Sequence, residues 1–161
     1  MIEFRVAEKK DCALILEFIK SLAKYEKLED EVVATEEALE QWLFDNMSAE
    51  VFFAVKDGKE VGFALYFTSF STFLGKAGLY LEDVYVLPEY RGQGVGKLML
   101  KALAQMAVSC GFGRVEWSCL NWNEQSIEFY HSIGAEAMSD WTKYRLSGER
   151  LEELAGIKIV K

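Results

Sequence analysis

Apolar and polar residues alternate from Ile2 to Ala7, the period of a half-buried strand. Over residues 9–26 the period becomes helical. Cys12, Ile15, Leu16, Ile19, Leu22 and Ala23 form one stripe, and Leu14, Phe18 and Tyr25 give the same helix a second apolar face. Such a helix calls for cover on two sides, by its own chain or by another subunit. The acidic loop Glu26, Glu29, Asp30 and Glu31 follows. Thr35 then stands where a cap belongs, and Glu36 and Glu37 suit the positive end of a helix whose buried face is Ala38, Leu39, Trp42 and Leu43. Residues 51–55 and 60–70 read as strands joined by a tight turn at Asp57-Gly58, and 79–87 as a third strand. Val95, Leu98, Met99, Ala102, Leu103 and Met106 predict a helix over 94–110. A strand over 114–119 comes next, then a helix over 124–132 capped by Asn123 and ended at Gly134. A closing pair of strands, 135–138 and 141–146, and a short helix, 149–155, capped by Ser147, complete the pattern. The order β-α-α-β-β-β-α-β-α-β-β predicts a mixed α/β sheet with helices on both faces.

The junction between the third strand and the long helix carries the most chemistry. It reads Arg91-Gly92-Gln93-Gly94-Val95-Gly96. Glycines let backbone N–H groups approach a ligand closely, and a helix N-terminus adds unpaired donors and partial positive charge. A strand–loop–helix junction of this composition suits phosphate or pyrophosphate; the plainer alternative is a glycine turn that caps a helix. A nucleotide-binding P-loop would need glycine at position 91 and Ser or Thr at 98, where this chain has Arg91 and Leu98. A dinucleotide fingerprint fails at Lys97, and no βαβ unit opens the chain.

Composition narrows the class. The 161 residues, 51% hydrophobic with a single proline, suit one domain, 1–161, with no linker or repeat. A net charge of −8 disfavours nucleic acid and anionic membranes as partners, and favours a cationic small molecule if the acids gather at the site. No apolar run is long enough to span a membrane, and the first residues lack a signal-peptide layout, so a cytoplasmic protein is expected. Cys12 and Cys110 fall on apolar helix faces and, with Cys119, read as reduced core residues. One histidine and scattered cysteines leave no metal site to expect.

Two further positions carry candidate chemistry. Glu82 and Asp83 lie inside the apolar run from Tyr80 to Val86, where a carboxylate needs a partner or a function. Alternation sends the two to opposite faces unless a bulge intervenes, with Glu82 on the side of Tyr80, Val84 and Val86. Glu82 could accept a proton, directly or through water, pair with a ligand cation, or form a structural ion pair. Tyr130 could donate to developing negative charge or simply pack in a helix face. Cys119 as a nucleophile and His131 as a base are weaker candidates.

The motif Arg-x-x-Gly-x-Gly after a strand resembles the acyl-CoA pyrophosphate loop of the GNAT N-acetyltransferases, and the element order matches that family. The segments Leu22 to Glu26, Tyr80 to Asp83, Tyr90 to Gly92 and Trp122 to Glu124 resemble its diamine, polyamine and thialysine N-acetyltransferase branch. The likeness runs from about residue 3 to residue 146. It implies a seven-stranded, mostly antiparallel sheet. It also implies acetyl-CoA as co-substrate, a small cationic amine as acceptor, direct attack in a ternary complex, and a homodimer. By the same resemblance Val84, Tyr85 and Val86 hold the pantetheine arm, and Arg91, Gly92, Gln93, Gly94, Val95, Gly96 and Lys97 cradle the pyrophosphate. Asn123, Glu124, Gln125 and Ser126 contact the lower cofactor. Tyr130 is the proton donor, and Tyr25, Glu26, Glu82 and Trp141 hold the amine. Relatives often carry proline where this chain has Gln125. Transfer to protein lysines or N-termini, and a non-catalytic acyl-CoA sensor, are the alternatives.

Overall fold

Residues 51–54 and 61–66 are buried along their whole length rather than at alternate positions. A strand of that kind belongs to a sheet covered on both faces. The computed structural model, which describes residues 1–156, has such a sheet. Five strands lie in the order β1-β2-β3-β4-β5. They are β1 (Ile2–Val6), β2 (Glu50–Lys56), β3 (Lys59–Ser71), β4 (Lys76–Val86) and β5 (Val115–Trp117). The first four pair antiparallel, and β5 joins β4 in parallel. The helices are α1 (Cys12–Glu26), α2 (Glu36–Leu39), α3 (Val95–Ser109), α4 (Glu124–Ser132) and α5 (Glu149–Leu154). The chain divides into two compact units, Met1–Leu120 and the residues from Asn121 onward. All five strands and α1 to α3 belong to the first; α4 and α5 belong to the second.

Alternation along β2 and β3 sorts their side chains between two helices. Ile15 and Phe18 of α1 pack with Val51, Phe53, Phe63, Leu65 and Tyr85, and the Phe18 ring stacks on Phe63 with centroids 5.2 Å apart. The alternate residues of β3 face α3: Gly62 lies under Met99, and the Tyr66 hydroxyl donates to Met106 Sδ at 3.7 Å. Gly62 is what allows this close approach. A Cβ there would lie 2.9 Å from the Tyr85 carbonyl oxygen and 3.1 Å from Met99 Sδ.

The sequence pattern and the structure part company at several places. Among the described residues the sheet has five strands, not seven. Residues 135–138 and 141–146 form no ladder, and Met138, Trp141, Tyr144 and Leu146 are exposed. Strand formation needs a partner edge as well as a suitable local pattern. The helix after Thr35 widens into a π-helical turn over Glu40–Asp45. That widening rephases its apolar stripe, so Leu39, Leu43 and Phe44 pack on the core while Trp42 turns outward. The second apolar face of α1 is covered from within: Phe18 is buried, and Leu14 and Tyr25 pack against the core cluster. Cys110, expected in the core, is exposed because α3 ends at Ser109. The last helix starts at a left-handed Gly148, and Ser147 does not cap it. By contrast, Thr35 caps as expected, accepting from the Ala38 N–H at 3.2 Å.

Gly62→Ala is expected to lower stability by about 1–3 kcal/mol, because the clash is with backbone rather than with a movable side chain. Urea unfolding monitored by circular dichroism checks this; a variant as stable as wild type would contradict the packing described.

Candidate active site

The loop between β4 and α3 is built by its glycines. Gly92 and Gly94 sit at φ of +71° and +80°, a region that side-chain-bearing residues avoid. Gly94 is the residue from which α3 starts, and no side chain caps the helix. The first intrahelical bond runs from the Leu98 N–H to the Gly94 carbonyl, so the amides of Val95, Gly96 and Lys97 precede the ladder. No atom of another element lies within 4 Å of where a Cβ would stand at Gly92, Gly94 or Gly96. The space beside these glycines is therefore open.

Side chains hold the loop in this form. Gln93 donates from Nε2 to the Glu89 carbonyl at 3.0 Å and accepts at Oε1 from Lys56 Nζ at 2.7 Å. Arg91 donates from Nε to the Val86 carbonyl at 2.9 Å, and its guanidinium lies 4.6 Å from the centre of the Tyr25 ring and 5.0 Å from that of Tyr85.

β4 supplies an open backbone edge leading to the loop. It pairs with β5 only through Leu79, Tyr80 and Leu81. Beyond Leu81, no described strand covers that side. The Leu87 N–H donates to Val61 on the β3 side. By alternation the backbone of Tyr85 also points to β3, and that of Val84 and Val86 points to the open edge. Of the three residues expected to offer backbone to a ligand, Val84 and Val86 thus face outward and Tyr85 faces the sheet. An extended edge ending at uncapped helix amides fits an extended amide-bearing chain that terminates in a diphosphate, as coenzyme A does.

Where β4 leaves β5 it is also bulged. Tyr66 pairs with Leu81 and Leu65 with Asp83, so Glu82 is the extra residue. The bulge resets the alternation expected from sequence. Asp83 stands opposite Leu65 and shares the α1 face with Tyr85, while Glu82 is exposed at the bulge. Asp83 is the residue that sequence reasoning passed over. Burial first, and then the nearby charges of Glu82 and Glu26, push its carboxyl up to about 6. Burial likewise raises Glu26, the last residue of α1, above the ordinary glutamate range. Tyr25, beside Glu26, stands with its ring centroid 6.4 Å from that of Tyr85. The first unit therefore gathers Tyr25, Glu26, Glu82 and Asp83 at the start of the open edge, and Arg91 to Lys97 at its end.

The remaining sequence candidates belong to the second unit. Asn123 caps α4, accepting from the Ser126 N–H at 3.3 Å, with Glu124 and Gln125 exposed in the first turn. Tyr130 lies half-buried in the last turns of α4, its ring centroid 5.6 Å from that of Phe129. Trp141 is 74% exposed.

Residues 16–135 match the model of the Acetyltransferase (GNAT) family. A thialysine N-ε-acetyltransferase from Bos taurus is 38% identical over 167 residues, covering 96% of this chain and 98% of that protein. A spermidine/spermine N(1)-acetyltransferase-like protein from Homo sapiens is 37% identical over 95% of this chain and 24% of its own length. Among solved structures, an integron cassette protein from the mobile metagenome of V. cholerae superposes with a TM-score of 0.78 at 29% identity, covering 96% of this chain and 97% of that one.

A carboxyl whose folded-state pKa is raised opposes folding when ionised. For Asp83 that cost is absent below the ordinary value of 3.8, grows as pH rises, and is complete above about 6. Asp83→Asn should accordingly be about 1–2 kcal/mol more stable than wild type at pH 7, with the gain vanishing near pH 4. Denaturant titrations at the two pH values measure it; a gain equal at both would show that Asp83 is not held in this way.

Proposed function

Because this chain belongs to the acetyltransferase (GNAT) family, we propose that it moves an acetyl group from acetyl-CoA to the primary amine of a small cationic acceptor, a diamine, polyamine or thialysine-like compound. The observation that carries this reading is the course of β4, which runs from a group of carboxylates along an open edge to the uncapped N-terminus of α3.

Bound at this site, acetyl-CoA supplies an activated acyl group and a thiolate leaving group. The Val84 and Val86 backbone would hold the pantetheine arm, and the amides from Gly92 to Lys97 the diphosphate. Asn123, Glu124, Gln125 and Ser126 would contact the lower part of the coenzyme. Glu26, Glu82 and Asp83 favour an ammonium group, and Tyr25, with Trp141 as a further contact, would orient it. An alkylamine with a pKa of ~10.4 is deprotonated only to about one part in 2,500 at neutral pH. Attack needs the lone pair, so a carboxylate must take the proton, directly or through water. Glu82 stands at the bulge for this role, and Asp83, near 6, has the proton affinity that suits it. Tyr130 would donate to the sulfur as negative charge develops there. In this reading both compact units serve one acetyltransferase domain. Direct attack in a ternary complex needs no acyl-enzyme and no metal.

A homodimer and a cytoplasmic location are part of the same proposal. Phe70, Phe73 and Leu74, on and beside the β3–β4 turn, expose apolar surface of the kind a second subunit covers.

Thiol release from acetyl-CoA, measured with putrescine, spermidine, spermine, thialysine and a lysine peptide, tests the reading. At least one small amine is expected to exceed the peptide tenfold or more. A preference for the peptide would reassign the acceptor to proteins, coenzyme binding without turnover on any amine would make the chain a sensor, and no response to the coenzyme would sink the proposal. With the preferred amine, kcat/KM should fall below about pH 6, as Asp83 is protonated, and Tyr130→Phe should lower kcat by roughly 10–100-fold.

A further inference from the structure

Arg91 opens the phosphate-binding loop, yet its side chain turns away from the loop toward α1. Its Nε donates to the Val86 carbonyl at 2.9 Å, and its guanidinium lies against Tyr25 at 4.6 Å and Tyr85 at 5.0 Å. The two rings are inclined at 60° with centroids 6.4 Å apart, so they form a corner that receives the cation. Among the described residues no carboxylate is within ion-pair distance of Arg91. Ring faces and a carbonyl set its position, and these are directional partners.

The consequence follows from where these groups sit in the chain. Tyr25 precedes Glu26 at the very end of α1, where the left-handed Lys27 closes the helix through bonds from its N–H to the Ala23 and Lys24 carbonyls. Tyr85 lies beside the open edge of β4, and Val86 is on that edge. Arg91 thus touches the acceptor end of α1, the pantetheine edge and, through its own backbone, the first residue of the loop. Gly92, with its positive φ, follows Arg91 directly and begins the run of loop amides.

We propose that Arg91 is a positioning residue that couples the two substrate sites: the Tyr25 ring holds its guanidinium, and the guanidinium holds the loop in the form that receives the coenzyme's diphosphate. Order imposed on Tyr25 by a bound amine then raises coenzyme affinity, and the bound coenzyme raises amine affinity by the same factor, since such coupling is reciprocal. This rests on the acetyltransferase reading given above.

The test is calorimetric titration of the full chain with coenzyme A, so that no turnover enters the readout. Tyr25→Leu, which removes a ring that is not itself expected to touch the coenzyme, should weaken coenzyme binding about 5–10-fold, and Tyr25→Phe, which keeps the ring, less than about twofold. Arg91→Lys should weaken it comparably, because an ammonium lacks the planar face and the Nε–H. The double variant Tyr25→Leu/Arg91→Lys should be no weaker than Arg91→Lys alone. Circular dichroism and thermal melts confirm that each variant is folded. A second arm needs only the wild type and Arg91→Lys: saturating putrescine should tighten coenzyme binding at least threefold in the first and not in the second. Multiplicative losses in the double variant, a Tyr25→Leu protein that binds like wild type, or equal putrescine effects in the two proteins would overturn the coupling while leaving the acetyltransferase reading intact. A wild-type chain that ignores coenzyme A would remove both.

Discussion

The separation of β4 from β5 is the constraint on which the rest of this molecule depends. The two strands share only the register from Leu79 to Leu81 opposite Val115 to Trp117. β4 then continues to Val86 with one edge bonded to β3 and the other free of any described strand, the Val86 carbonyl accepting from Arg91. An unpaired edge inside a sheet is normally a liability, because its amides and carbonyls lack partners. Here it is retained beside a loop whose glycines and helix amides complete the same surface. Burial of β3 on both faces makes this possible, since the inner edge of β4 stays fixed while the outer one has no strand beside it.

The bulge at Glu82 is the second consequence of the same departure. It falls at the residue after the last pair with β5, and it turns two consecutive carboxylates to different environments. Asp83 goes to the α1 face beside Glu26 and Tyr85, and Glu82 to the exposed bulge. Confining carboxylates in this way costs stability, as the raised pKa of Asp83 reflects. The guanidinium of Arg91 lies on the two tyrosine rings rather than on a carboxylate. Among the described residues Glu26, Glu82 and Asp83 form no ion pair, and an ammonium-bearing acceptor would supply the cation.

Much of the site was legible locally. Gly92 and Gly94 had to be glycine for left-handed backbone, and Asn123 had to cap α4; each signal involves residues within a few positions of one another. The choice between Glu82 and Asp83 was not legible, because a bulge is a relation between two strands. The Arg91 contacts were hidden for a similar reason, since Tyr25 and Arg91 lie far apart in sequence. The predicted strands over 135–138 and 141–146 failed in the same way, having the pattern of a ladder without a ladder to join.

By itself the sequence determined the periodicities of α1 and α3, the strand-and-turn meander from β2 to β4, and the glycine-built turn that leads into α3. These depend on helical and strand repeats and on the conformational freedom of glycine, all short-range properties of the chain. Only the tertiary structure decided the five-strand count, the π-helical turn that expels Trp42, the face that receives Asp83 and the aromatic corner that holds Arg91. Each of these depends on which edge or surface a segment meets, and a residue's neighbours along the chain do not carry that information.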